Sequence, residues 1–354
     1  MDYWTQLPAA HATGDGTPVA PEWNLMLANV EELRSKLSDA SARIDNLVAV
    51  LPSEAVRRAA LVRGVDQPSA ANTGVYPGTT FTVVTDHVPV SGTTYTALEV
   101  QNTLNLNGKQ DCHYVNCRFV GPPTTPTGSA GLVRGWTVHG GGHTFTDCTF
   151  VPQAPHFQLD GVKGHDMTLT RCDISGVIDG VSIFNTNAPT APCGVVVDQC
   201  WIHDLAYFPN PPDTNHTDGS HADGIQWQGG TGLVVRGNRI EGSVASRYRP
   251  GQYGSEHANA CILIKPDAGA LGNGFIDSNW FYGGYISAQV SDDAPDRYVT
   301  DLGYFTNNRF DRAQKLQGGG GDGTWTLQYP GGANGIVSGN VYVDNGHPIQ
   351  VRRN

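Results

Sequence analysis

Apolar residues near the start of the chain recur with the period of a coiled coil. Trp23, Met26, Val30, Leu33, Leu37, Ala40, Ile44, Leu47 and Leu51 fall on successive a and d positions through EWNLMLANVEELRSKLSDASARIDNLVAVL. A period of about 3.5 residues held over roughly 43 Å, at about 1.5 Å per residue, predicts a helix that supercoils with partner helices to cover its seam. The competing reading is an amphipathic helix lying on the rest of the protein. The mixture of Val, Leu, Ile and Ala in the seam does not fix the number of helices.

Beyond the linker-like PSAANTGVYPGTT the pattern changes. An apolar residue, two further residues, Cys or Asn, one residue and then an apolar or aromatic residue recur as YVNCRF, FTDCTF, LTRCDI, VDQCWI, VRGNRI, IDSNWF, FTNNRF and VSGNVY. The anchors Cys117, Cys148, Cys172, Cys200, Asn238, Asn279, Asn308 and Asn340 are spaced by 31, 24, 28, 38, 41, 29 and 32 residues. A supersecondary unit repeating at such a period is the signature of a solenoid. The residue before each anchor is polar or small, as an outward position beside inward apolar ones requires. Each unit carries a second extended run, among them GLVRGW, HFQLDGV, DGVSIF, DGIQWQ, ACILIK and YISAQV.

Nothing in these units repeats at 3.6, which excludes a helical solenoid. Strands that stack on their counterparts, roughly 4.8 Å per coil, predict an all-β parallel β-helix solenoid of eight or more coils preceded by the coiled-coil helix. The anchors then form an internal column of four cysteines followed by four asparagines. Asn side chains in such a column can pass amide hydrogen bonds from coil to coil, and cysteines fill it as small hydrophobes. The expected divisions are 1–21 as an attachment segment, 22–52 as the coiled coil, 53–109 as linker and solenoid cap, and 110–354 as the solenoid.

Composition agrees with a body of short strands and tight turns, because 44 Gly and 22 Pro accompany only 16% charged residues. A net charge of −11 with no basic stripe argues against a nucleic-acid partner. The sequence shows no apolar run long enough for a membrane span and no signal-peptide pattern, so neither is expected. Seven cysteines without a CxxC pair disfavour a disulfide framework and a zinc knuckle.

The two longest spacings are adjacent, and their excess lies in LAYFPNPPDTNHTDGSHA and SVASRYRPGQYGSEHA. Loops longer than the scaffold needs, in neighbouring coils, are where function collects. They and the strands beside them supply Tyr207, His216, Asp218, His221, Trp227, Arg247, Tyr248, Arg249, His257 and Lys265, a mixture of aromatic and charged groups suited to holding a glycan. Asp179 opens DGVSIF and Asp223 opens DGIQWQ in consecutive coils, while Asn259 precedes ACILIK. If those starts are in register, the two carboxyls sit about 5 Å apart, as in a retaining glycosidase, and their repulsion raises one pKa; Glu256 is a further catalytic candidate. The structural alternative is that Asp-Gly is ordinary turn chemistry. A metal site built from His216, Asp218, His221 and Asp223 matches no standard zinc spacing, so none is expected. A lyase would need a base such as Arg249, Lys265 or His257, with Ca2+ held by the carboxylates; the other readings need no cofactor. His113, His139, His143, His156 and His165 read as structural.

The Cys/Asn-anchored repeat with its DGI and DGV strands resembles the right-handed parallel β-helix superfamily of pectate lyases, polygalacturonases and phage tailspikes. The coiled coil ahead of it is similar to that of a tailspike or minor tail protein of a phage infecting actinobacteria. The resemblance implies a homotrimer in the virion tail that joins other tail proteins through its N-terminus and recognises a bacterial surface polysaccharide. It leaves open whether the protein also cuts that polysaccharide, by hydrolysis or elimination, or is a structural tail component. The full polygalacturonase set of NTD, paired Asp, GHG and RIK motifs is not present.

Overall fold

The computed structural model describes residues 61–124, 130–136, 141–184, 191–208, 211, 219–242, 259–284, 286–290, 299–311, 327–329, 334–349 and 351–353. All belong to the unit Ala60–Asn354. The predicted coiled coil and attachment segment lie outside the described residues, as do His139, His216, Asp218, Arg247, Tyr248, Arg249, Glu256 and His257.

The described chain is all-β, with parallel strands in three sheets and no helix. Among the described residues the sheets hold 10, 11 and 9 strands. The chain visits them in rotation, and each strand pairs in parallel with its counterpart one coil earlier and one coil later. This arrangement is consistent with a parallel β-helix solenoid. The third sheet, which carries the candidate site, contains Leu104–Asn105, Ala130–Gly135, Leu159–Gly164, Val181–Ile183, Asp223–Trp227, Ala260–Ile264, Ile286–Val290, Leu327–Tyr329 and Val351–Arg353.

The anchors sit at the corner between the second and first sheets, and the column forms as the sequence predicts. Cys117, Cys148, Cys172 and Cys200 are buried free thiols. Above them the asparagine amides form a ladder. Asn238 N and Nδ2 both donate to Asn279 Oδ1 at 2.9 Å, Asn279 N and Nδ2 to Asn308 Oδ1 at 3.0 Å, and Asn308 N and Nδ2 to Asn340 Oδ1 at 3.0 Å. Each Nδ2 also reaches a carbonyl of the preceding coil, such as Val197 O from Asn238 and Val235 O from Asn279. No buried amide in this column is left unpaired, which is the condition for polar groups in a dry core.

The residue before each anchor is more constrained than an outward position alone requires. Asn116, Asp147, Arg171, Gln199, Ser278 and Asn307 all have φ between 51° and 58°, and the remaining two are Gly237 and Gly339. A left-handed residue here reverses the chain sharply enough for the next side chain to point inward. Its own N–H still donates to the following coil, for example Arg171 N to Asp198 O and Gln199 N to Arg236 O, both at 3.0 Å. The non-glycine cases cost about 1 kcal/mol each in backbone strain, which the coil-to-coil bonds offset.

Inside the first sheet, Phe119, Phe150, Ile174, Ile202, Ile240, Phe281, Phe310 and Tyr342 stack in register and are buried. The segment expected as linker and cap is described from residue 61 onward. Residues 61–79 run along the outside of the anchor corner as a strap. Arg63 grips Asp198 through two bonds of 2.8 and 2.6 Å, Gly74 N donates to Arg171 O, and Tyr76 reaches Asn116 Oδ1 with its N–H and Asp147 Oδ2 with its hydroxyl.

Candidate functional site

Three consecutive coils repeat one tetrapeptide: Leu-Asp-Gly-Val at 159–162, Ile-Asp-Gly-Val at 178–181 and Ala-Asp-Gly-Ile at 222–225. The pairings Val162 with Val181 and Val181 with Ile225 place Asp160, Asp179 and Asp223 at one position of three successive coils. Glycine follows each Asp for a steric reason. A Cβ on Gly180 would lie 2.4 Å from Gly224 O and 2.6 Å from Ile202 Cγ2, and one on Gly224 would lie 2.3 Å from Ile240 Cγ2. The coils can close to bonding distance only without that carbon. Gly161 N then donates to Asp179 O at 2.8 Å and Gly180 N to Asp223 O at 3.0 Å.

The carboxyls form the floor of a cleft of about 340 Å3 whose walls include Lys163, His221, Gln226, Asn259 and Lys265. All three are buried, with Asp223 only 1% exposed. Each is tied to the scaffold. Asp223 N donates to Asp179 Oδ1 at 2.9 Å, Asn259 Nδ2 donates to Asp223 Oδ1 at 3.0 Å, and Lys163 Nζ lies 2.5 Å from Asp160 Oδ2. Part of the role is therefore the structural one, in which Asp caps a turn.

Electrostatics separates the three. Burial pushes Asp179 well above the ordinary carboxylate range, and the charges of Asp160 and Asp223 on either side push the same way. Burial also pushes Asp223 up to about 7, against the opposing effects of the Asn259 hydrogen bond and of His221. Asp160 is raised by burial but opposed by the Lys163 ammonium in contact with it. Burial thus disfavours the charged form of all three, and a cation in contact opposes it only at Asp160.

Among the residues expected from the sequence, Asp179 and Asp223 come together on the floor, and His221 and Lys265 line the cleft, Lys265 with Asp267 at 3.4 Å. Tyr207 is 5% exposed, its hydroxyl end packed so closely on Gly219 that a Cβ there would lie 2.2 Å away. Trp227 must be corrected as a glycan contact. It is fully buried in the core, and its indole N–H donates to Gly230 O at 3.0 Å. Asp160, Lys163 and Gln226 are cleft residues that the sequence reading missed, although the third copy of the Asp-Gly tetrapeptide was visible. Among the described residues no group of three or more His, Cys, Asp or Glu is arranged to hold a metal ion.

Comparison of the chain with known families, with curated proteins and with solved structures finds no match.

Proposed function

We propose that this protein is a right-handed parallel β-helix of the tailspike or minor-tail type, displayed as a homotrimer on its N-terminal coiled coil, and that it recognises a bacterial surface polysaccharide in the third-sheet cleft. The observation that carries the glycan reading is the open cleft itself, in which hydrogen-bonding carboxyl, amide and ammonium groups from four successive coils converge. Such an array suits a hydroxyl-rich chain lying across the coils. Presenting three copies on one stalk would raise avidity without improving any single site.

A second reading, hydrolytic cleavage of the same polysaccharide, is favoured by the separation of the carboxyl pKa values. A carboxylic acid poised near neutrality can protonate the leaving oxygen, and Asp223 has that character. Asp179 is a poor nucleophile, since burial disfavours its charged form and its Oδ1 accepts the Asp223 amide. Asp160 is the better base. It lies two coils from Asp223, about 10 Å between backbones, which suits the roughly 6.5–9.5 Å between carboxyls in an inverting enzyme. Burial disfavours the charged form of Asp179 and Lys163 faces Asp160, so the floor favours Ca2+ binding less than a lyase requires.

The test is retention of labelled capsular polysaccharides, lipopolysaccharide O-chains and cell-wall arabinogalactan by the purified protein and by Gln226→Trp, which fills the cleft from its wall. Binding by the wild type that the bulky variant loses supports the reading. Binding unaffected by the variant, or no binding by the wild type, defeats it.

A further inference from the structure

We propose a second sugar subsite beside the cleft, an aromatic platform formed by Trp136 and Phe184 and flanked by Arg134 and Lys163. It rests on the glycan reading above and takes a further sugar unit of the same chain. Trp136 and Phe184 directly follow third-sheet strands that pair with opposite sides of the strand Leu159–Gly164. Their coils are therefore about 10 Å apart. Their ring centroids are nevertheless only 6.0 Å apart, at 33°. The two rings lean together across the intervening coil, where the chain continues into the buried His165. Both remain half-exposed, so they present one broad apolar face outward, the surface on which the C–H face of a sugar ring packs.

The polar surroundings complete a sugar-binding arrangement. The Arg134 guanidinium lies 5.5 Å from the Trp136 ring and the Lys163 ammonium 5.8 Å from the Phe184 ring. Among the described residues, Arg134 Nε and His165 Nε2 are buried polar atoms without a hydrogen-bond partner, while the rest of the partly exposed Arg134 guanidinium is left to bond ring and hydroxyl oxygens of a sugar. Lys163 joins the platform to the carboxyl floor. Its Nζ is 2.5 Å from Asp160 Oδ2, so the Phe184 ring centre is within about 8 Å of that carboxyl, roughly the length of one or two sugar units. A glycan bound in the cleft therefore extends over the platform along the solenoid axis.

The experiment compares binding of size-graded, fluorescently labelled fragments of capsular polysaccharide, O-chain and arabinogalactan to wild type, Trp136→Ala, Phe184→Ala and Trp136→Phe. We expect each alanine variant to lose about tenfold in affinity for fragments long enough to span both places, with short fragments unaffected and Trp136→Phe close to wild type. Unchanged affinity for long fragments in the alanine variants overturns the subsite while leaving the cleft reading intact. Equal loss for short and long fragments overturns it too, because it reports damage to the fold. If the wild type binds no fragment of any length, the subsite and the glycan reading fall together.

Discussion

Asp223→Asn is the substitution whose effect on stability follows most directly from the structure. The folded protein holds the Asp223 proton up to a pH of about 7, whereas an unfolded chain releases it near 3.9. Folding therefore takes up a proton between those values. The stabilisation is fully present below the unfolded pKa and is lost as pH rises through the folded one. Roughly three pH units at about 1.36 kcal/mol each set an upper bound near 4 kcal/mol for the penalty of burying the ionised group. Asparagine keeps the oxygen that accepts from Asn259 and carries no charge. The variant should consequently lose less stability than the wild type between about pH 4 and pH 7, the difference in slope reporting Asp223 together with its electrostatic effect on Asp179. Urea unfolding midpoints and slopes across that range at constant salt are the assay. A variant that weakens as steeply as the wild type, or a wild type that gains stability towards high pH, would refute the reasoning.

Other consequences can be checked on the same material. Asn279→Ala strips the acceptor from Asn238 N and Nδ2 and the donor from Val235 O, and should cost about 3–5 kcal/mol by urea unfolding. Gly180→Ala drives a methyl into Gly224 O and Ile202; a loss of about 3 kcal/mol or more, with weakened glycan retention, is expected, and a neutral result would contradict the close coil contact. Arg63→Ala removes two bonds to the buried Asp198, leaving it Arg236 at 3.2 Å, and should cost about 1–3 kcal/mol while exposing residues 61–79 to hydrogen exchange. The seven buried free thiols should resist a thiol reagent in native buffer and react together in denaturant.

The sequence and the fold agree wherever the constraint is local. A corner that turns one residue inward between two strands needs a small or amide side chain there, so the Cys and Asn anchors were legible and the asparagine ladder followed. The same logic put Asp179 and Asp223 in register. Asp160 escaped because coil lengths differ: 19 residues separate it from Asp179, while 44 separate Asp179 from Asp223, so a search guided by the two long loops passed over the short coil. Strand alternation could have placed Trp227, which falls on the inward side with Ile225 and opposite Gln226. The strap could not be read at all. PSAANTGVYPGTT has no periodicity of its own, and its partners, such as Asn116 and Arg171, lie far along the chain. The left-handed conformation of Arg171 and Gln199 was equally hidden, since neither residue type favours it.

Engagement of a bacterial polysaccharide by the carboxyl cleft can be tested in a single assay. Purified wild type and Asp223→Asn are incubated with capsular polysaccharides, O-chains and arabinogalactan, and each reaction is scored for retained glycan, new reducing ends and ultraviolet-absorbing unsaturated ends. Retention of at least one glycan by both proteins is the expected result, and reducing ends released by the wild type but lost in the variant would add the hydrolytic reading. A wild type that neither retains nor cuts any glycan would contradict engagement, and ends that persist undiminished in Asp223→Asn would remove Asp223 as the acid.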